Sequence, residues 1–173
     1  NVFAGNGTVD AATTTAGITM VLGTGNNTLT GGTGGDTFTF SGTELDTNDR
    51  IVGGLGTDTI SIDNSGGTFS ATNLIIDDVD AAGKISGVEN FTVTNANGGD
   101  TIGAENADVI TVTFGDTAST ALTLTTVDGS VITDTNDILT VNASAVTDVG
   151  FFTTFDIKGG AAADVLSGGD GAD

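Results

Sequence analysis

Apolar and polar positions alternate in short runs along this chain. The runs are Thr37-Phe38-Thr39-Phe40, Thr59-Ile60-Ser61-Ile62, Phe91-Thr92-Val93-Thr94, Val109-Ile110-Thr111-Val112, Ala121-Leu122-Thr123-Leu124, Ile138-Leu139-Thr140-Val141 and Phe155-Asp156-Ile157. An apolar residue at every second position gives a pleated strand one inward face, so each run predicts a strand of about three to five residues. Clusters of Gly, Asn, Asp and Ser, the residues of tight turns, separate them. Helical periodicity is nearly absent. Ala71 to Ala82 is the one helix-compatible stretch, and Asp10 to Met20 reads as a Thr-rich insertion, either a loop or an extra strand pair. Short strands at this spacing make antiparallel hairpins or the coils of a solenoid, and the internal repeats decide between the two.

Two segments fit the nonapeptide G-G-x-G-x-D-x-U-x, with U apolar, at every fixed position: Gly31-Gly32-Thr33-Gly34-Gly35-Asp36-Thr37-Phe38-Thr39 and Gly53-Gly54-Leu55-Gly56-Thr57-Asp58-Thr59-Ile60-Ser61. A third, Gly159-Gly160-Ala161-Ala162-Ala163-Asp164-Val165-Leu166-Ser167, departs only at Ala162 and runs into Gly168-Gly169-Asp170-Gly171-Ala172-Asp173. The glycine half is a turn whose backbone conformations are closed to residues with a Cβ. It exposes carbonyl oxygens and presents the Asp carboxylate. The second half is a short strand whose U residue (Phe38, Ile60, Leu166) points to a core. Successive turns stack, so a cation between two of them draws oxygens from both. Calcium takes roughly six to eight oxygen ligands from carboxylates and carbonyls, and a Gly/Asp turn offers both. Zinc or copper would want His or Cys, and neither residue occurs.

The candidate calcium ligands follow from this frame. They are Asp36 with Gly31, Gly32 and Gly34; Asp58 with Gly53, Gly54 and Gly56; and Asp164 and Asp173 with Gly159, Gly160, Gly168, Gly169 and Gly171. Degenerate copies add Asn27, in Leu22 to Thr30, and Asp49, in Glu44 to Val52. Asn27 and Asp36 are nine residues apart, as are Asp49 and Asp58, and Asp164 and Asp173, so each couple is expected to share a site. Asp100 and Asp108 are eight apart and stand equally as ordinary Gly–Asp turns without metal. A second pattern, Asp78 to Glu89, matches an EF-hand loop at positions 1, 3, 6, 8 and 12 but has Ala82 at position 5. No flanking helices are evident, so an acidic loop leading into the strand Phe91 to Thr94 is the favoured reading.

Charge sharpens the picture. The chain has 173 residues, 23 Asp and Glu against 3 Lys and Arg, and a net charge of −20. Such an imbalance repels a compact fold unless a counter-charge is built in. Nucleic acid and anionic membrane surfaces are excluded as partners for want of basic residues, and divalent cations are the natural ones. Hydrophobic residues at 37% are too many for plain disorder. No apolar run of about 18 residues exists, so no membrane insertion is expected. No signal peptide opens the sequence, so either it is a fragment or export would use a signal outside it.

Enzymatic chemistry finds little support. Without His or Cys, Ser/His and Cys/His nucleophile schemes cannot be assembled from this sequence. Every good carboxylate pair already has a calcium role. Arg50, Lys84 and Lys158 read as surface charge or local ion pairs, and Phe151, Phe152 and Phe155 as core or an interface plug.

The nonapeptides resemble those of the RTX proteins, which bacteria export by type I secretion. A narrower resemblance, to calcium-dependent surface-layer proteins of stalked alphaproteobacteria, covers most of the chain. It rests on Gly53 to Asp58, Gly66-Gly67-Thr68-Phe69-Ser70-Ala71, Gly87-Val88-Glu89-Asn90-Phe91-Thr92-Val93, Val141-Asn142-Ala143-Ser144-Ala145-Val146-Thr147 and Ile157-Lys158-Gly159-Gly160. Residues 77–84 do not fit that pattern. The resemblance implies an all-β chain wound as a right-handed parallel β-roll or β-helix solenoid with calcium-binding turns. It implies a secreted, extracellular structural protein that folds and assembles on several Ca²⁺ ions, with copies of itself and cell-surface polysaccharide as partners. The competing roles are a calcium-rigidified module of a large adhesin and the calcium-binding module of a secreted enzyme.

One segment is expected, with RTX blocks at 22–61 and 159–173, a connecting stretch at 62–97 and a strand-rich part at 98–158. Asn1-Val2-Phe3 would complete the nonapeptide begun at Gly168, as expected of one period of a tandem array or a protomer that docks head to tail; a cut inside any RTX run is the equal alternative.

Overall fold

The computed structural model describes residues 2–3, 5–41, 44–45, 48–63, 69–75, 85–95, 109–115, 126–132, 138–144 and 156–168. Among these residues there are strands and turns but no helix, and therefore no helix able to cross a membrane. The strands are β1 (Val2–Phe3), β2 (Thr8–Asp10), β3 (Thr19–Leu22), β4 (Thr28–Thr30), β5 (Thr37–Ser41), β6 (Arg50–Val52), β7 (Thr59–Asp63), β8 (Phe69–Ile75), β9 (Ile85–Ser86), β10 (Asn90–Asn95), β11 (Val109–Gly115), β12 (Thr126–Asp128), β13 (Ile138–Asn142), β14 (Asp156–Lys158) and β15 (Val165–Ser167).

Every pairing among the described strands is parallel, which rules out the hairpin alternative there. A seven-stranded sheet runs β1-β3-β5-β7-β10-β12-β14. Two four-stranded sheets run β2-β4-β6-β9 and β15-β13-β11-β8. Parallel neighbours need a crossover between them. Among the described residues the crossovers hold strand and no helix: the chain leaves the long sheet, contributes to one short sheet or, between β7 and β10, to both, and returns one place further along. The architecture is compatible with a β-helix or β-roll.

The alternating pattern aligns apolar residues in files that run across the strands. Met20, Phe38, Ile60, Phe91 and Val127 lie in one register file of the long sheet, and all are buried. Phe40, Ile62 and Val93 form a second buried file. Leu29, Ile51 and Ile85 line one short sheet, and Val112 and Val141 the other. Burying each such side chain contributes about 1.5–3 kcal/mol, so the sheets are held chiefly by their inner faces.

Three expectations change. Leu166 aligns with buried Val141 but stays 42% exposed, because β15 pairs only with β13 and no described strand covers it on the other side. The helix-compatible stretch begins within β8, so β-sheet pairing wins over a weak helical signal. The Thr-rich insertion is a loop between β2 and β3, which belong to different sheets and so are not a strand pair. The strand expected at 121–124, Asp78 to Lys84 of the EF-hand-like pattern and the Phe151, Phe152 and Phe155 cluster lie outside the described residues.

Candidate metal-binding turns

Register brings the turn carboxylates into a file at the entry edge of the long sheet. Thr19, Thr37, Thr59 and Asn90 are successive partners across β3, β5, β7 and β10. The residue before each is therefore stacked too: Ile18, Asp36, Asp58 and Glu89. The Ile18 N–H donates to Asp36 Oδ1 at 2.9 Å, across 18 residues of sequence. The Asp36 N–H donates to Asp58 Oδ1 at 2.7 Å, across 22 residues. The Asp58 N–H donates to Glu89 Oε2 at 2.7 Å, across 31 residues. Each carboxylate thus caps a backbone donor of the turn before it, at the point where the strand ladder begins. A buried N–H must be paired somewhere, and the Asp side chain supplies the partner.

The other carboxylate oxygen distinguishes the turns. Asp36 Oδ2 accepts from the Gly32 N–H at 2.6 Å. Asp164 repeats the scheme at the third nonapeptide: Leu139 N–H donates to Oδ1 at 2.9 Å and Gly160 N–H to Oδ2 at 2.7 Å. Asp58 does not. Its Oδ2 is buried and has no hydrogen-bond partner, and Gly54, which corresponds to Gly32 and Gly160, has φ 113°. Burial, chiefly, holds the Asp58 carboxyl above its ordinary pKa. The Asp36 N–H opposes that shift, and the negative charges of Glu89 and Asp36 add to it.

The first glycine of each repeat has a steric reason. A Cβ on Gly31 would collide with the Asp36 carboxylate and the Gly53 carbonyl; one on Gly159 would collide with the Asp164 carboxylate. A Cβ on Gly53 would lie 2.6 Å from Asp58 Oδ2 and collide with the Gly87 carbonyl. Gly32 and Gly34 are crowded by the loop before β3, at the Thr14 carbonyl and the Gly17 amide respectively.

A second file lies on a short sheet. Asn27 and Asp49 precede the partners Thr28 and Arg50. The Asn27 N–H donates to Asp49 Oδ1 at 2.8 Å. The Asn27 side-chain amide donates to Asp49 Oδ1 at 3.1 Å, to the Gly25 carbonyl at 2.8 Å and to the Gly23 carbonyl at 3.2 Å. Asn27 Oδ1 is buried without a hydrogen-bond partner.

Placement of the expected ligands is therefore mixed. Asn27, Asp36, Asp49 and Asp58 are all buried and Asp164 is half-buried, with carboxylates folded onto backbone N–H groups and not held out from the turn. The expected sharing between residues nine apart is corrected for Asn27/Asp36 and Asp49/Asp58: one nonapeptide carries the chain from one sheet to the next, so these residues fall in separate files. Gly168 lies just after β15 and is half-buried. Asp100, Asp108, Gly169, Gly171 and Asp173 lie outside the described residues.

The pairing of Glu89 with Asp58 has a sequence signal outside the nonapeptide: Gly87-Val88-Glu89-Asn90-Phe91 keeps the frame of Gly56-Thr57-Asp58-Thr59-Ile60, with an acid two residues after glycine and an apolar residue two further on. Strand-end turns add local caps, in which Asp10, Asp128 and Asn142 accept from the N–H two residues on. Lys158 makes surface ion pairs with Asp128 at 3.3 Å and Asp156 at 3.5 Å, the local role expected for it.

Among the described residues no three acidic side chains gather into a ready-made metal cage. A cation at these turns would have two carboxylates at most and would take its other ligands from backbone carbonyls or water. The orphaned, buried Asp58 Oδ2 beside the Gly87 carbonyl fits a hard divalent cation, because both are oxygen donors and one carries charge. Comparison with family models, curated proteins and solved structures finds no match for this chain.

Proposed function

We propose that this chain is a calcium-dependent structural segment of an extracellular bacterial assembly, a surface layer or filament, wound as a right-handed parallel solenoid of the RTX type. The observation that carries the reading is the buried Asp58 Oδ2 without a partner, in a file of like charges. An unpaired buried charge costs more than the roughly 1–3 kcal/mol of a neutral orphan. Either a proton or a cation must relieve it, and the chain offers 3 basic residues against 23 acidic ones.

Calcium, when bound, supplies the positive charge that the side chains lack. The chain's own residues do the rest. Asp36, Asp58 and Asp164 fix the stacking of turns through backbone N–H groups, and the bare Cα atoms of Gly31, Gly53 and Gly159 let the carboxylates fold back over the turn. Because the files exist only when the strands are stacked, ion binding adds to folding free energy. The low-calcium chain then stays extended and export-competent, and millimolar calcium outside the cell folds it. Nothing in the candidate site calls for catalysis, and the segment is read as a binding and scaffolding element.

Circular dichroism of the chain with and without excess chelator tests the reading. The β-type signal is expected to vanish on chelation and to return with calcium. Identical spectra in both conditions would end the calcium reading.

A further inference from the structure

We infer that Glu89 and the Gly87 carbonyl complete a cation site with Asp58, so that a turn lacking the nonapeptide supplies half of the ligands. The inference rests on the calcium reading above and extends it to a turn that carries no Gly-Gly-x-Gly-x-Asp signature.

Three observations converge. Asp58 Oδ2 is the one carboxylate oxygen among the three described nonapeptide aspartates that the turn leaves without a donor; its counterparts on Asp36 and Asp164 take N–H groups from Gly32 and Gly160. The space over the Gly53 Cα is bounded by that oxygen and by the Gly87 carbonyl, so two oxygen donors from stacked turns already face one point. Glu89 stands in register with Asp58 and is tied to it, its Oε2 accepting from the Asp58 N–H at 2.7 Å.

A glutamate is one methylene longer than the aspartate its register partners carry. Its carboxylate, held at the Asp58 N–H, lies close enough for its charge to act on the Asp58 carboxyl. Two carboxylates and a carbonyl from two turns are an oxygen set for a cation of calcium's size, with water filling the remaining positions. Magnesium, which demands near-ideal octahedral geometry and keeps its water, suits such a flexible set less well.

The test is the calcium concentration at half-folding, read by circular dichroism on the whole chain, with bound ions counted by equilibrium dialysis at saturation. Glu89→Gln keeps an oxygen to cap the Asp58 N–H but removes the charge. It is expected to raise the midpoint by roughly tenfold, since affinity at oxygen sites follows ligand charge, and to lower the ion count by one. Asp10→Asn removes the same charge at an exposed turn and is expected to leave both readings unchanged.

If Glu89→Gln is unfolded at millimolar calcium, raising calcium tenfold should refold it, and the ion count then decides: one ion fewer for a lost ligand, and an unchanged count, which overturns the inference, for a purely structural cap. A Glu89→Gln midpoint no higher than that of Asp10→Asn, while Asp36→Asn does raise it, overturns this inference alone. A wild-type chain whose fold ignores calcium overturns the inference and the calcium reading together.

Discussion

The Asp36–Asp58–Glu89 file and the Asn27–Asp49 file sit at the entry edges of two sheets and answer the same need, a partner for the backbone N–H left at the head of each strand. They answer it with different chemistry. In the first, every cap is a carboxylate, and the buried Asp58 is left with a charged oxygen that nothing among the described residues pairs. In the second, Asp49 caps the Asn27 N–H and the other member is an amide that donates. The Asn27 NH₂ reaches the Gly23 and Gly25 carbonyls and the Asp49 carboxylate, three oxygens that would otherwise point at one another. Two covalent hydrogens stand where a cation would stand in an all-carboxylate turn. The orphan that remains there, Asn27 Oδ1, is neutral and its burial costs about 1–3 kcal/mol. The two files thus leave different orphans among the described residues, a carboxylate oxygen on Asp58 and an amide oxygen on Asn27.

The strongest way to break the comparison is at the glycine under the first file. Gly53→Ala would drive a methyl into the Gly87 carbonyl and toward the Asp58 carboxylate. The expected loss is more than about 3 kcal/mol, at the upper end for overpacking because backbone must move. Leu55→Ala, two residues on at a 69% exposed position, should change little. Denaturant midpoints at saturating calcium check the pair.

Next in size is the contrast between the two acids. Asp58→Ala is expected to shift the calcium midpoint of folding by tenfold or more. Asp49→Ala should cost stability, about 1–3 kcal/mol for the donors it strands on Asn27, and move the midpoint only through that loss, with the number of ions bound at saturation unchanged where Asp58→Ala lowers it by one. Equal ion counts for the two variants would remove the distinction between the files.

Converting one file into the other is a subtler change. Asn27→Asp places a second carboxylate against Asp49 and the Gly23 and Gly25 carbonyls. The variant should be less stable than wild type at low calcium, by about 1–3 kcal/mol, and should recover as calcium rises, with a steeper titration and one additional ion by dialysis. A variant that stays destabilised at every calcium concentration would argue that the second file cannot host an ion.

The smallest effect belongs to a carboxylate outside both files. Asp128 is held below the ordinary carboxylate range, first by the Ser130 side chain and N–H and then by Lys158. Its folded pKa is depressed, so its contribution is present above the unfolded carboxylate value and is lost as pH falls through the folded one. Ser130→Ala should weaken that acid sensitivity slightly without moving the calcium midpoint, as thermal melts across the acidic range would record.

Much of this molecule is legible in the alternation of its residues. A period of two over Thr37 to Phe40 or Thr59 to Ile62 leaves a strand few alternatives, because only then does one face become apolar. The Gly-Gly-x-Gly-x-Asp repeats likewise mark their own turns: the Asp carboxylate folds back over the first glycine within six residues, a local contact that sequence alone specifies. Two things were not local. Which turns stack depends on how far the chain travels before it returns to the same sheet, and that distance is 18, 22 or 31 residues at successive steps of one file. Spacing within the repeat does not carry it: nine residues separate Asp36 from Asn27, but its neighbour in the file is Asp58. The burial of Asp58 beside Glu89 also appears only once the strands are in register, because an unpaired oxygen is a property of everything packed around it. Alternation and glycine spacing are enough for strands such as Thr59–Asp63 and for the Gly–Asp turns, whereas the strand at Phe69–Ile75 and the meeting of the carboxylates come from the packed fold, since parallel pairing joins residues by return path and not by proximity in the chain.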